Sequence, residues 1–213
     1  TGLCYLPKAA PPGGFFLVQK SSQGLNSRYP QSPLVIEDAA MPSKIEALSV
    51  LVVESHDATR NQLRAILTQC GITKMVAAAS AAMAVRRLRE TQFDIILCEY
   101  HLGEGQNGQH FLEDVRQHQL IPLSTIFIMI TGERSYERVM GAAELAPNDY
   151  LLKPFAAESL RDRLERALNK REAFLPAYRL IESGNAARAI AECQAGEAQY
   201  PSFSIDFLRL RAQ

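Results

Sequence analysis

Leu48-Ser49-Val50-Leu51-Val52-Val53, closed by Glu54-Ser55-His56-Asp57 and followed by Arg60 to Gln69, carries the reading of the fold. A short apolar run rich in branched side chains reads as a buried strand. Leu63, Ile66 and Leu67 recur on one face of the next segment, which reads as a helix stopped at Gly71. This βα unit repeats along the chain. A weaker strand is expected at 73–78, a helix at 80–90 with Met83, Val85 and Leu88, and a strong strand at Asp94-Ile95-Ile96-Leu97-Cys98. A glycine-rich loop at 100–108 leads to a helix at 109–118 and to the strand Thr125-Ile126-Phe127-Ile128-Met129-Ile130. A helix at 134–144, a short strand at Tyr150-Leu151-Leu152 and a helix at 156–170 complete the pattern. Alternating strands and helices predict an α/β fold, a five-stranded doubly wound parallel sheet in the flavodoxin-like order 2-1-3-4-5 with right-handed crossovers.

Composition narrows the function. The chain has 213 residues, 47% of them hydrophobic and 22% charged, with 23 basic residues against 23 acidic. Such a length excludes a large multidomain enzyme, and the balanced charge argues against a sequence-wide grip on nucleic acid or an anionic membrane. No long uncharged apolar run suits a membrane-spanning helix. Cys4, Cys70, Cys98 and Cys193 are scattered, without a C-x-x-C pair or a histidine at ligand spacing, as expected for reduced thiols of a cytoplasmic protein. Residues 1–43, with Pro11, Pro12, Gly13, Gly14, Pro30, Pro33 and Pro42, read as a disordered leader or linker, and Met41 is a candidate natural start.

In an open parallel sheet the functional groups gather beyond the carboxyl ends of the strands. Those ends read Glu54-Ser55-His56-Asp57, Glu99-Tyr100-His101, Thr131-Gly132-Glu133 and Lys153-Pro154. Two carboxylates, a hydroxyl and an ammonium should therefore converge on one pocket. No glycine-rich phosphate loop follows the first strand, which argues against a dinucleotide or triphosphate site. His56, His101, His110 and His118 share no ligand spacing.

With Asp149-Tyr150-Leu151-Leu152-Lys153-Pro154-Phe155 as its most specific stretch, this set resembles the CheY-like receiver domain of two-component response regulators, over about residues 46–169. The resemblance implies a signalling module rather than an enzyme. It implies Mg²⁺-assisted phosphoryl transfer from a histidine kinase or phosphotransfer protein to an aspartate at the end of the third strand. Carried over by position, Glu54 matches the first acid of the pocket, Ser55 replaces the second acid, and Glu99 stands at the phosphoacceptor position. Thr131 matches the switch hydroxyl, Lys153 the lysine and Tyr150 the rotating aromatic, while Glu54 and Glu99 remain as weak metal ligands. Mg²⁺ is usually held by one or two carboxylates in near-octahedral oxygen ligation, so losing an acid at Ser55 should weaken it. Glutamate reaches one methylene further than aspartate, so Glu99 is expected to contact Lys153 and imitate part of the phosphorylated charge pattern. The alternative is a conventional Mg²⁺-dependent receiver, with Asp57 as a substitute ligand. A reading from a different class, a small hydrolase or phosphotransferase on the same sheet, lacks an evident nucleophile.

Beyond residue 169 the pattern changes. Ala177, Leu180, Gly184, Ala189 and Pro201 follow the spacing of a tetratricopeptide unit, with a first helix closed at Gly184-Asn185, a second from Ala186 to Tyr200, and the opening of another at Ser204–Arg211. One repeat cannot bury its own face, so further repeats are expected. The other reading is a plain helical hairpin packed on the last receiver helix or forming a homodimer contact. The expected division is 1–43 leader, 44–169 receiver and 170–213 tetratricopeptide-like segment. Output through a protein partner on the 134–170 face and the helical repeat is expected. No basic recognition helix points to nucleic acid.

Overall fold

The computed structural model describes residues 45–103, 105, 107–132 and 146–212. Within them the strands are β1 (Ser49–Val53), β2 (Lys74–Ala78), β3 (Ile95–Glu99), β4 (Ile126–Thr131) and β5 (Asp149–Leu152). The helices are α1 (Asp57–Gln69), α2 (Ala81–Glu90), α3 (Gly108–Gln117), α4 (Ala157–Glu182), α5 (Ala186–Gln199) and α6 (Ser204–Arg211). The strands form one parallel sheet in the order β2-β1-β3-β4-β5, as the alternation of elements predicts. The leader reading for 1–43 and the helix read at 134–144 lie outside the described residues.

Strand alternation sorts the core into two layers. Leu51, Val53, Ile96, Cys98, Phe127, Met129 and Tyr150 point to the side covered by α2 and α3. Val50, Val52, Ile95, Leu97, Ile128, Ile130 and Leu151 point to the side covered by α1 and α4, where Leu63, Leu67, Leu160, Leu164 and Leu168 meet them. The three central strands are buried on both faces, which is why they read as unbroken apolar runs rather than alternating ones. On α2 the buried positions are Ala81, Ala84 and Leu88, whereas Met83, one of the apolar residues of this helix in the sequence, is exposed.

The largest departure lies at the last receiver helix. Its apolar period ends near 170, yet α4 runs on to Glu182, through Pro176. Its second half packs Phe174 and Ala177 into a separate small core with Cys193 and Phe207 of the α5–α6 hairpin.

Candidate functional site

Register decides which side chains meet at the carboxyl edge of the sheet. Val53 lies opposite Cys98, Glu99 opposite Ile130, and Thr131 opposite Leu152. The ladder then continues one residue further: the Glu54 amide donates to Ala78 O (3.0 Å), the Tyr100 amide to Ile130 O (2.8 Å) and the Lys153 amide to Thr131 O (2.8 Å). With a period of two, Glu54 shares a face with Val50 and Val52, Glu99 with Ile95 and Leu97, and Lys153 with Leu151. All three therefore project to the α1–α4 side. Thr131 and Tyr150 fall in step with Phe127, Met129 and the α2–α3 layer, and Tyr150 is packed there.

The three that share a face form one ion cluster. Lys153 Nζ donates to Glu54 Oε2 at 3.1 Å and is paired with Glu99 Oε2. The Glu54 and Glu99 side chains are 1% and 8% exposed, against 31% for Lys153, so the cation closes a buried acid pair from the solvent side. Each carboxylate also anchors its own loop. Glu54 Oε1 accepts from the His56 amide at 2.9 Å, and Glu99 Oε1 accepts from the His101 amide at 3.3 Å. One oxygen of each acid is thus spent on the amide two residues on and the other on Lys153.

Burial works against this charge. It alone would raise the Glu54 carboxyl, but the His56 amide and Lys153 outweigh it and hold the group below its ordinary value. Burial likewise opposes the Lys153 ammonium, and Glu99 and Glu54 together more than restore it, lifting it above the usual lysine value. Behind the cluster, burial and then the negative Glu99 and Glu54 push the Cys98 thiol well up, leaving it a neutral core group.

Ser55 and Asp57 turn elsewhere. Ser55 Oγ lies 3.2 Å from His56 Nδ1, and the same nitrogen lies 3.3 Å from Glu54 Oε1. A Ser–His–acid relay needs both ring nitrogens, one for the nucleophile and one for the acid, so this trio does not form one. Asp57 opens α1, is exposed, and pairs with Arg60 one turn on. Arg60 is a participant that the sequence reading missed. Its Nη1 donates to Glu54 O (2.6 Å) and Ser55 O (2.8 Å), clamping the β1–α1 loop against the first turn of the helix. The available signal was a basic residue one turn into the helix that follows an acid-tipped strand.

The loop after Glu99 is closed by local chemistry. His101 and Asn107 bridge antiparallel, the Gly108 amide donates to Tyr100 O at 2.7 Å, and Asn107 Oδ1 caps α3 by accepting from the His110 amide at 2.8 Å. A Cβ at Gly108 would lie 2.6 Å from Met129 Sδ and 2.7 Å from Glu99 O, so only glycine lets α3 start against the tip of β3.

Mg²⁺ asks for several oxygens at about 2.0–2.1 Å in octahedral array. The chemistry of this donor set does not suit it: both carboxylates are engaged by an internal ammonium and two amides, and the Ser55 hydroxyl turns to a histidine. Among the described residues no three His, Cys, Asp or Glu side chains cluster to hold a metal ion. No described helix is long and apolar enough to cross a membrane.

Comparison with known proteins agrees with this architecture. The family model "Response regulator receiver domain" matches residues 50–165, more than half of the chain. Among curated proteins, the chain is 24% identical over 123 residues to the chemotaxis protein CheY-3 of Vibrio cholerae, covering 58% of this chain and 93% of that protein. It is 24% identical to the chemotaxis protein CheY of Pseudomonas aeruginosa, covering 58% and 98%. Among solved structures, chemotaxis response regulator CheY4 of Vibrio cholerae superposes with a TM-score of 0.50 at 25% identity, covering 56% of this chain and 98% of that one. The N-terminal domain of a three-domain response regulator/sensory box/GGDEF protein from Carboxydothermus hydrogenoformans gives 0.52 at 23%, covering 60% and 98%.

Proposed function

Because the chain belongs to the response regulator receiver domain family and carries the receiver domain of a two-component response regulator, we propose that its acidic pocket is held by an internal cation in place of phosphate and Mg²⁺, and that it signals by protein contact. The observation that carries this reading is Lys153 Nζ bridging Glu54 and Glu99, with Ser55 where a second acid would sit. The longer Glu99 side chain brings its carboxylate to the lysine without a phosphoryl group. The pocket then keeps one arrangement that phosphorylation would otherwise impose, with less charge and fewer acceptor oxygens than a phosphate would bring. In this reading Glu99 occupies the phosphoacceptor position without accepting, Thr131 and Tyr150 are the switch residues, and the protein is a cytoplasmic, non-enzymatic module.

The proposed output is the face carrying β5 and the first half of α4, together with a tetratricopeptide-like unit over 170–213 that follows a receiver over 44–169. Support for the unit comes from small residues at its tight crossings: Ala177, Ala189 and Gly196 are all buried, Phe174 and Phe207 stack at 3.8 Å, and Pro201 starts the turn into α6. Neither nucleic acid nor a membrane is a proposed partner.

The test is intact-mass spectrometry after incubation with Mg²⁺ and acetyl phosphate. Wild type and Glu99→Asp should show no adduct, whereas Ser55→Asp combined with Glu99→Asp should gain one phosphoryl mass. A wild-type adduct would overturn the reading, and a double variant that stays unmodified would remove the receiver chemistry from this pocket.

A further inference from the structure

Opposite the acidic pocket, at the amino edge of the sheet, a second set of ties joins the sheet to α4, and α4 to the C-terminal hairpin. Asp94, at the entry to β3, accepts from the Ser49 amide (2.9 Å) and the Ser49 hydroxyl (2.8 Å) through Oδ2, and its other oxygen takes Arg171 Nη1 of α4 at 3.2 Å. Its own backbone amide donates to Ser49 O and its carbonyl accepts from the Ile126 amide, so the residue ties the starts of β1, β3 and β4 together. One turn below the strands, Glu182 Oε1 at the end of α4 accepts from the Leu123 amide at 2.7 Å. Arg116 of α3 holds the same 122–125 turn from the other side, donating to Pro122 O (2.8 Å) and Thr125 O (3.1 Å). Lys170 of α4 pairs with Asp206 of α6 at 2.9 Å.

These ties act on a helix already shared by two cores. From Leu168, buried against the sheet, to Phe174, buried in the hairpin, six residues turn a helix by about 240° net, so the two halves of α4 present different faces to two different partners. α4 stays helical through Pro176, which removes one i→i−4 hydrogen bond, and the ties at Arg171 and Glu182 hold the helix on both sides of that weak point, so its two halves move together.

We propose that the β3-entry aspartate and the 122–125 turn form a docking seat that makes the receiver sheet and the hairpin one cooperative unit. On this basis α4 acts as a rigid lever, and a protein bound to the hairpin reads the position of α4 instead of a hairpin released from the receiver. The inference is independent of what occupies the acidic pocket. Arg171 and Glu182 are its two removable contacts, and neither lies in that pocket.

The test is amide hydrogen exchange by mass spectrometry on the full chain, comparing wild type with Arg171→Ala/Glu182→Ala and with Arg171→Lys. Alanine preserves helix propensity, so the double variant removes the ties and leaves the helix. In wild type, peptides of α5 and α6 should open together with those of β3 and β4. In the double variant the hairpin should exchange roughly tenfold faster or more, the size expected for losing two partly exposed, solvent-screened contacts. Either the hairpin alone accelerates or sheet and hairpin accelerate in parallel, and both support the seat. Arg171→Lys, which keeps the charge, should lie nearer wild type. A wild-type hairpin that already exchanges tenfold faster than the sheet, or a double variant with unchanged hairpin exchange, would overturn the proposal.

Discussion

At the scale of single residues, Lys153 decides the character of the pocket. It pairs with the two buried carboxylates of Glu54 and Glu99, and breaking such an arrangement leaves uncompensated buried charge. Lys153→Met should cost about 3 kcal/mol near neutral pH, the lower end of the range for broken buried pairs because the ammonium is partly exposed. Urea denaturation measures this directly. The pH profile is more specific. Glu54 is depressed, so its contribution is present above the ordinary carboxyl value of 4.5 and is lost as pH falls through the lower folded value. Lys153 is raised, so its contribution is present below the ordinary lysine value of 10.5 and is lost as pH rises through the higher folded value. The contribution of this pair to wild-type stability should therefore be flat between these limits and fall outside them. In Lys153→Met the lowering influence of the ammonium on Glu54 is gone while its burial remains, and stability should decline as pH rises from the acid side. The same variant leaves two facing carboxylates open to a cation, so Mg²⁺ should raise its melting temperature and leave that of wild type unchanged.

At the scale of elements, close approach is what the site and the hairpin have in common. Gly108 starts α3 against the backbone oxygen of Glu99, a neighbour that cannot move aside. Gly108→Ala should cost about 1–3 kcal/mol of overpacking and shift the acid it abuts. The check is a lower urea midpoint together with a changed amide resonance at His101. In the hairpin, a Cβ at Gly196 would collide with the buried Phe207 ring, which stacks on Phe174. Gly196→Leu should lower stability by a similar 1–3 kcal/mol or more, read as faster exchange in α5 and α6. Element boundaries shifted by only a residue or so where a strand was buried on both faces. They failed at α4, because the sequence pattern changes beyond residue 169 and reads as an ending, while the helix persists through Pro176 by exchanging one packing partner for another.

At the scale of the whole molecule, the carboxyl edge of the sheet holds the charge cluster and the amino edge holds the hairpin. Shortening the chain at residue 169 removes Arg171 and Glu182 and uncovers part of the amino edge. The sheet should survive, with a melting temperature lower by several degrees, the shift expected for about 1–3 kcal/mol lost from a domain of this size. Thermal circular dichroism of the two lengths measures it.

Much of the pocket was legible one residue at a time. Apolar runs fixed five strands, their tips named Glu54, Ser55, Glu99, Thr131 and Lys153, and parallel topology put those tips on one edge. The Glu99–Lys153 pairing followed from one extra methylene. What only the tertiary structure decided was the sharing. Register and strand alternation set Glu54, Glu99 and Lys153 on one face and Thr131 and Tyr150 on the other. Arg60 was recruited to the β1–α1 loop, and the extension was pinned to Asp94 and the 122–125 turn. Periodicity reports that a face is buried, since burial depends on local composition; which distant residue covers it depends on how strands and helices meet, and no local pattern carries that.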